Sequence, residues 1–251
     1  MIKYFLIILT ALVFFGCAHQ GDTVTQISTI DALLAGHYDG AETLDEMKTY
    51  GDFGIGTFDR LEGEMIVLNG RVYQAKADGK IYEPEKMTTP FASVSFFKAD
   101  NTADVTEPAD YAGLIKTADS MAQDKNIFCA LKAEGVFSVM KVRSVPAQNK
   151  PYLPLAEVVK TQSVYEYQNI EGTIVGYRLP EYIKGLNVGG YHLHFIDKDK
   201  KVGGHILGFT MIRGKVSVDE QNRLFLILPK EGLKDLDLTK DRAEELERVE
   251  K

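Results

Sequence analysis

Three of the five histidines in this 251-residue chain lie in one stretch, GGYHLHFIDKDKKVGGHILG, residues 189–208. On an extended strand, residues two apart face the same side about 7 Å apart, so His192 and His194 aim at one point while Leu193 faces away. The run DKDKK reads as a turn centred near Asp199, and a hairpin folded there brings His205 opposite His194. Gly189, Gly190, Gly203 and Gly204 flank the histidines, and a glycine in a strand marks a bulge or a close backbone approach. Three neutral imidazoles with an open fourth position describe a catalytic zinc site, and the same donors suit other divalent transition metals. The bland alternative is a chance grouping of surface or hydrogen-bonded core histidines. A third histidine at hairpin distance, in a histidine-poor chain, favours the metal. His19 and His37 have no such company and read as solvent-facing or locally bonded.

A metal does not name a reaction. His-X-His also occurs in cupins, but there an acidic ligand follows within a few residues and the last histidine comes much later; here Asp197 falls in the turn and His205 comes early. The helical metalloprotease pattern, with Glu beside its histidines, is absent.

The elements that must position these histidines are mostly strands. Ser28 or Thr29 can cap a short helix over 30–35 that stops at Gly36, and a second covers 43–50. Residues 57–82 alternate apolar and polar, with reversals at Asn69-Gly70 and Asp78-Gly79, which predicts a three-stranded meander. Further strands are expected over 91–97 and, as a hairpin, over 127–133 and 136–145. A helix is expected over 109–122 and another near 155–161. Strands follow at 164–167, 173–177 and 224–228, and the charged tail 238–251 reads as helical. The class is therefore mixed α/β, with mainly antiparallel strands and few short helices. AQNKPYLP, residues 147–154, is the one convincing linker. It divides the chain into two packed β-rich subdomains, 18–150 and 151–251.

Composition sets outer bounds. The chain is 45% hydrophobic and 26% charged, with a formal charge of -7, and its Lys and Arg form no run. A nucleic-acid partner is not expected. Residues 1–17 read as a signal peptide, because an apolar run of about 12 residues falls short of the roughly 20 needed to cross a bilayer. Phe-Phe-Gly-Cys resembles a bacterial lipobox, with Phe14 in place of the usual small aliphatic residue. The expectation is an exported lipoprotein whose only membrane contact is a lipid on Cys17; simple secretion, to the periplasm or beyond, is the alternative. Cys129, in IFCAL, is then the one other cysteine and reads as a buried core thiol.

Long segments of the chain carry a resemblance. ISTIDALLAGHYDG, GDFGIGTFDRLEGEMIVLNGRVYQ, TTPFASVSFF, the region around KVRSVPAQNKPY and, most specifically, EGTIVGYRLPEYIKGLNVGGYHLHFIDKDKKVGGHILGF are similar to the α-acetolactate decarboxylase family. The resemblance covers nearly all of the mature sequence. It implies a zinc enzyme that takes a small-molecule substrate, 2-acetolactate, to (R)-acetoin and carbon dioxide, built as a two-domain α/β subunit and paired as a homodimer. Loss of carbon dioxide from a 2-hydroxy-3-keto acid leaves an enediolate, which needs an electrophile at the ketone oxygen and a proton donor on one face.

Four residues outside the histidine cluster then become candidates. Glu64, in EGEMIVLNG, shares a strand face with Ile66 and Leu68, where a carboxyl's pKa rises toward the range useful for proton transfer. The resemblance makes it the active-site glutamate; its alternative is an edge-strand residue with its head in water. Arg143 shares a face with Val139 and Phe137 and is placed to hold a carboxylate or the proton donor; its alternative is a surface arginine. Thr57 matches an active-site position as a hydrogen-bond donor, or is simply a β-branched strand residue. The family also brings a C-terminal glutamate to the metal, for which Glu250 is the nearest match among Glu244, Glu245 and Glu247. Two rival functions remain open: a different metal-dependent lyase or hydrolase on the same scaffold, and a non-catalytic zinc-binding lipoprotein.

Overall fold

The structure, a computed structural model, describes residues 21–250. The expected signal peptide and Cys17 lie outside the described residues. No helix among those described is long and apolar enough to cross a membrane.

The chain starts with β1 (Thr23–Ile27) and α1 (Ile30–Leu34). Thr29, not Ser28, caps this helix: its hydroxyl accepts from the Ala32 N–H at 3.1 Å. β2 (Glu42–Thr43) leads into α2 (Leu44–Met47), capped in the same way by Thr43. An antiparallel run follows through β3 (Phe53–Thr57), β4 (Glu64–Leu68), β5 (Arg71–Ala75) and β6 (Ile81–Tyr82). The Asn69-Gly70 reversal places both residues at positive φ, 53° and 74°, as a tight hairpin turn requires. The meander does not continue unbroken from Thr57. Residues 59–61 leave the sheet as a 3-10 turn, with Arg60 and Leu61 at φ 61° and 57°, and this buries Leu61 beneath the loop.

β7 (Thr88–Thr89), β8 (Ala92–Ser95), β9 (Asn101–Val105) and β10 (Ala109–Asp110) precede α3 (Tyr111–Met121). Then come β11 (Phe128–Ser144), α4 (Leu155–Val158), β12 (Ser163–Leu179), β13 (Gly190–Asp197), β14 (Gly203–Gln221), β15 (Arg223–Ile227) and α5 (Ala243–Glu250). Two expectations are corrected here. The hairpin expected around Gly135 is one strand of 17 residues, and the pair expected at 164–167 and 173–177 is also one strand of 17. Gly135 lies in register with Gly172 on one side and Gly214 on the other. A Cβ there would stand 2.3 Å from the Arg213 carbonyl, so this glycine serves close strand packing, not chain reversal.

Two sheets result. The first runs β15-β1-β8-β3-β4-β5-β6, antiparallel except where β15 lies parallel to β1. The second runs β10-β14-β11-β12-β13, with β9 as a sixth strand on β14; β13 also pairs with β14, so the sheet curls around Phe137, Phe195 and Phe209. The mixed, mainly antiparallel α/β class expected from sequence is thus the class adopted. Residue 150 does not divide one sheet from the other, because β15 joins the first sheet and β11 sits inside the second. Phe53, Ile55 and Ile66 from the first sheet pack on Ala130, Val175 and Tyr177 from the second. α1, α4 and α5 gather over one edge of this interface with Leu61, Phe91 and Val145.

Candidate metal centre and active site

His192 and His194 lie on β13, and His205 on β14 stands directly across from His194. The hairpin between them is closed by Asp197, whose Oδ1 accepts from the Lys201 and Val202 N–H groups at 2.6 and 2.8 Å. Gly203 and Gly204 let β14 approach its neighbours: a Cβ would fall 2.4 Å from the Phe195 carbonyl at one and 2.5 Å from the Arg143 carbonyl at the other. The three rings converge, with centroids 5.0 to 5.4 Å apart and one nitrogen from each within 4.8 Å of the others.

The donor set fits a divalent cation. His194 donates from Nδ1 to the Met65 carbonyl at 2.8 Å, which leaves the lone pair on Nε2. That Nε2 is buried and has no partner among the described residues. Burial lowers all three imidazole pKa values, His192 to about 3, with the Arg143 charge adding to the effect there. The rings are therefore neutral at physiological pH; His192 Nε2 and His205 Nδ1 share a 3.2 Å hydrogen bond, a contact that a metal at the convergence would replace. An unmet buried ring nitrogen otherwise costs on the order of 1–3 kcal/mol, so a cation at this point would relieve a penalty built into the cradle.

Glu64, Arg143 and Glu250 surround the cradle. Glu64 begins β4, paired with Thr57 on one side and Ala75 on the other. Its Oε2 is 3.7 Å from His194 Nε2, and its Oε1 is 3.3 Å from Arg143 Nη1. Burial raises its carboxyl to about 7 despite the opposing Arg143 charge, and Glu250 adds to the rise. Of the four tail glutamates it is Glu250 that the structure brings in, with Oε2 3.9 Å from His205 Nε2 and a carboxyl likewise raised by burial to about 7. Glu245 turns back to Arg242 at 2.8 Å, and Glu244 is exposed.

Arg143 is 5% exposed and lies across from His205 on the neighbouring strand. Its Nη2 donates to the Val249 carbonyl at 3.0 Å, while its Nε is buried without a hydrogen-bond partner among the described residues. The expected face shared with Phe137 and Val139 is interrupted, because register shifts at Phe137, Val139 and Val142 re-aim the strand. Thr57 is buried at the site, but its hydroxyl donates to the Gly63 carbonyl at 2.7 Å. Its proton is thus engaged in closing the β3–β4 corner beside Glu64, which leaves its oxygen to act as an acceptor.

Thr57, Glu64, Arg143, His192, His205 and Glu250 line one wall of a small cavity of about 40 Å³, and His194 lies behind it. The other wall is apolar: Ile30 and Leu33 from α1, Leu61, Phe91, Leu155 from α4 and Val249 from α5. None of the six was singled out as a site residue from sequence, which placed Ile30, Leu33, Phe91 and Leu155 only within expected helices and strands. The arrangement can bind a small anion at Arg143, polarise an oxygen beside the imidazoles and move a proton from a carboxyl that is half-protonated near neutrality.

A family model described as alpha-acetolactate decarboxylase matches residues 24–239. An alpha-acetolactate decarboxylase of Methanosarcina mazei is 48% identical over 235 residues, spanning 93% of this chain and 82% of the relative. One of Methylococcus capsulatus is 43% identical, spanning 92% and 90%. The crystal structure of alpha-acetolactate decarboxylase from Bacillus subtilis strain 168 superposes with a TM-score of 0.88 at 36% identity, covering 91% of this chain and 99% of that one. The family match stops at residue 239, so α5, which carries Val249 and Glu250, lies beyond it.

Proposed function

The chain belongs to the alpha-acetolactate decarboxylase family and is a decarboxylase of acetolactate; on that premise we propose that it forms (R)-acetoin and carbon dioxide at a zinc centre held by His192, His194 and His205. The observation that carries this reading is the unpartnered, buried Nε2 of His194, aimed where the other two rings converge and 3.7 Å from Glu64. His192, His194 and His205 would hold a divalent cation there, and the chemistry it would supply is Lewis acidity toward the substrate's ketone oxygen.

The chain's own residues do the rest. Arg143 presents terminal N–H groups to the substrate carboxylate and fixes which bond stands ready to break. The apolar wall excludes water from the enediolate that remains. Each turnover takes up one proton, since a carboxylate is replaced by a C–H bond. Glu64, whose carboxyl burial holds above its ordinary range, delivers that proton from one face and so sets the handedness of the product. Glu250 stands on the far side of the cradle beside His205 and orients the hydroxyl end of the substrate. Thr57 offers its oxygen as an acceptor.

Zinc-loaded protein given racemic acetolactate should release carbon dioxide and (R)-acetoin, read by gas evolution and chiral chromatography. Metal-replete protein that forms neither product would overturn the reading. The same reading extends to place and assembly. Export and lipid attachment at Cys17 are supported by the apolar run before Gly16-Cys17, and mass spectrometry of the mature N-terminus decides between lipid and free thiol. A homodimer is supported by the family resemblance, and light scattering on the purified protein should give about twice the chain mass.

A further inference from the structure

The proposed proton donor and the anion clamp stand on different sheets. Glu64 lies on β4 of the seven-stranded sheet and Arg143 on β11 of the six-stranded sheet, yet they meet at 3.3 Å. Neither ladder fixes that distance, because the two strands do not pair. Beside the His194–Met65 bond, which ties β13 to β4, the sheets are joined at this point by a pair of bonds made by the two residues that follow Arg143. The Ser144 hydroxyl donates to the Ala75 carbonyl at 2.7 Å, and Ala75 is the cross-strand partner of Glu64. The Val145 carbonyl accepts from the N–H of Gly63, the residue before Glu64, at 3.1 Å. Gly63 sits at φ 81°, and a Cβ there would lie 2.4 Å from the Ala75 carbonyl, so the backbones are as close as glycine allows. Ser144 is 1% exposed, and no catalytic role accounts for a hydroxyl buried there.

We propose that Ser144 is a positioning residue for the decarboxylation: its bond to Ala75 fixes β11 against the β4–β5 hairpin at the spacing where Arg143 and Glu64 engage. This rests on the roles given to Glu64 and Arg143 above. The fold contains its own control. Ser95, 0% exposed on β8, shares a 3.0 Å hydrogen bond with the Tyr177 hydroxyl on β12, joining the same two sheets away from the metal cradle. A merely structural role for Ser144 would make the two serines alike.

The experiment compares zinc-loaded wild type, Ser144→Ala, Ser144→Cys and Ser95→Ala for zinc content, thermal midpoint, kcat, KM and enantiomeric purity of acetoin. Ser144→Ala should keep its zinc and its KM but lose about 10- to 100-fold in kcat, as misplacement of a reacting group by up to about 1 Å does. Its product should lose enantiomeric purity as Glu64 loosens. Ser144→Cys replaces the hydroxyl with a bulkier, weaker donor; it should fall between wild type and Ser144→Ala, and it carries the test alone if Ser144→Ala does not fold. Ser95→Ala should lower the thermal midpoint and leave kcat and product purity unchanged. Wild-type kcat and purity in the Ser144 variants, or an equal loss in Ser95→Ala, would overturn the inference. If wild type itself forms no acetoin, the functional reading fails, and a crystal structure of the Ser144 variant decides this inference separately. Separation of Glu64 and Arg143 beyond about 4 Å supports it, and an unchanged contact refutes it.

Discussion

Two arginines are buried in the same sheet on adjacent strands, and they are held very differently. Arg178, 4% exposed on β12, gives Nη1 to Asp119 at 3.0 Å and to the Ala122 carbonyl at 2.7 Å, and Nη2 to the Asp124 carbonyl at 2.7 Å. Arg143, 5% exposed on β11, has a long 3.3 Å contact to Glu64 and one backbone acceptor. Both leave Nε without a hydrogen-bond partner among the described residues, so the difference lies at the terminal nitrogens. The carboxyl partners record it. Burial works to raise Asp119, but hydrogen bonds from Tyr191 and Arg178 outweigh it and hold the group below its usual range. At Glu64 burial wins, and the group rises to about 7. Burial of charge alone therefore does not mark a reactive site. An arginine with capacity to spare, beside a carboxyl that has not been forced to ionise, does.

The largest test of this contrast is at the reactive end. Glu64→Gln should keep zinc, since the three imidazoles and the Met65 contact are untouched, yet turnover should fall by about 10²- to 10⁴-fold, the usual contribution of a positioned acid. His194→Ala should lose metal and activity together, as elemental analysis and an acetoin assay would read. Normal turnover in Glu64→Gln would place the proton donor elsewhere and make the Arg143 end no more reactive than the Arg178 end.

A paired substitution is next in size. Arg178→Met leaves Asp119 with Tyr191 and Lys125 as its remaining partners and frees two backbone carbonyls; breaking a buried pair costs roughly 3–5 kcal/mol, and the partial exposure and remaining partners of Asp119 bring this to about 2–3. Urea unfolding should show that loss, with kcat of the remaining folded enzyme intact. Arg143→Met should do the reverse, with little change in unfolding but a steep fall in kcat/KM. Equal effects from the two substitutions would erase the distinction between clamp and site.

How much of this was legible in the sequence follows from the range of the interactions. The histidine cradle could be read because its spacing is local: two residues on one strand and a third across a short hairpin. The Arg143–Glu64 contact spans 79 residues and the Arg143–Val249 contact 106, and no periodicity encodes either; the resemblance was needed to single out Glu64 and Glu250. Gly135 looked like a reversal because glycine punctuates turns as readily as it relieves close packing, and only the partner strands tell these uses apart. Asn169, at φ 53° inside β12, concealed that strand's continuity in the same way. The apolar roof from α1, α4 and α5 is a tertiary product of three short helices, each unremarkable alone. Residue 150 looked like a domain boundary because linker composition is visible in a sequence, whereas the return of β15 to β1 is not.

The smallest effect tests what sets the sign of a buried carboxyl's shift. Asp219, near the Arg178 end, is buried without an arginine contact; burial raises it to about 6, although Lys98 N–H and Gln221 Nε2 both donate to its Oδ2. A carboxyl raised in the folded state gives its full stability below its unfolded pKa, near 3.8, and loses it as pH climbs through about 6. Asp119, lowered in the folded state, does the opposite: its stability is present above 3.8 and is lost as pH falls through its folded value. Asp219→Asn retains both hydrogen bonds if its carbonyl takes the Oδ2 position, so urea midpoints between pH 4 and pH 7 should fall less in this variant than in wild type. Asp119→Asn should weaken the fold at neutral pH and converge on wild type only in acid. Parallel pH profiles for wild type and Asp219→Asn would mean that burial does not govern that carboxyl. The same physical cause assigned to Glu64 would then lose its support from the part of the molecule where no metal complicates it.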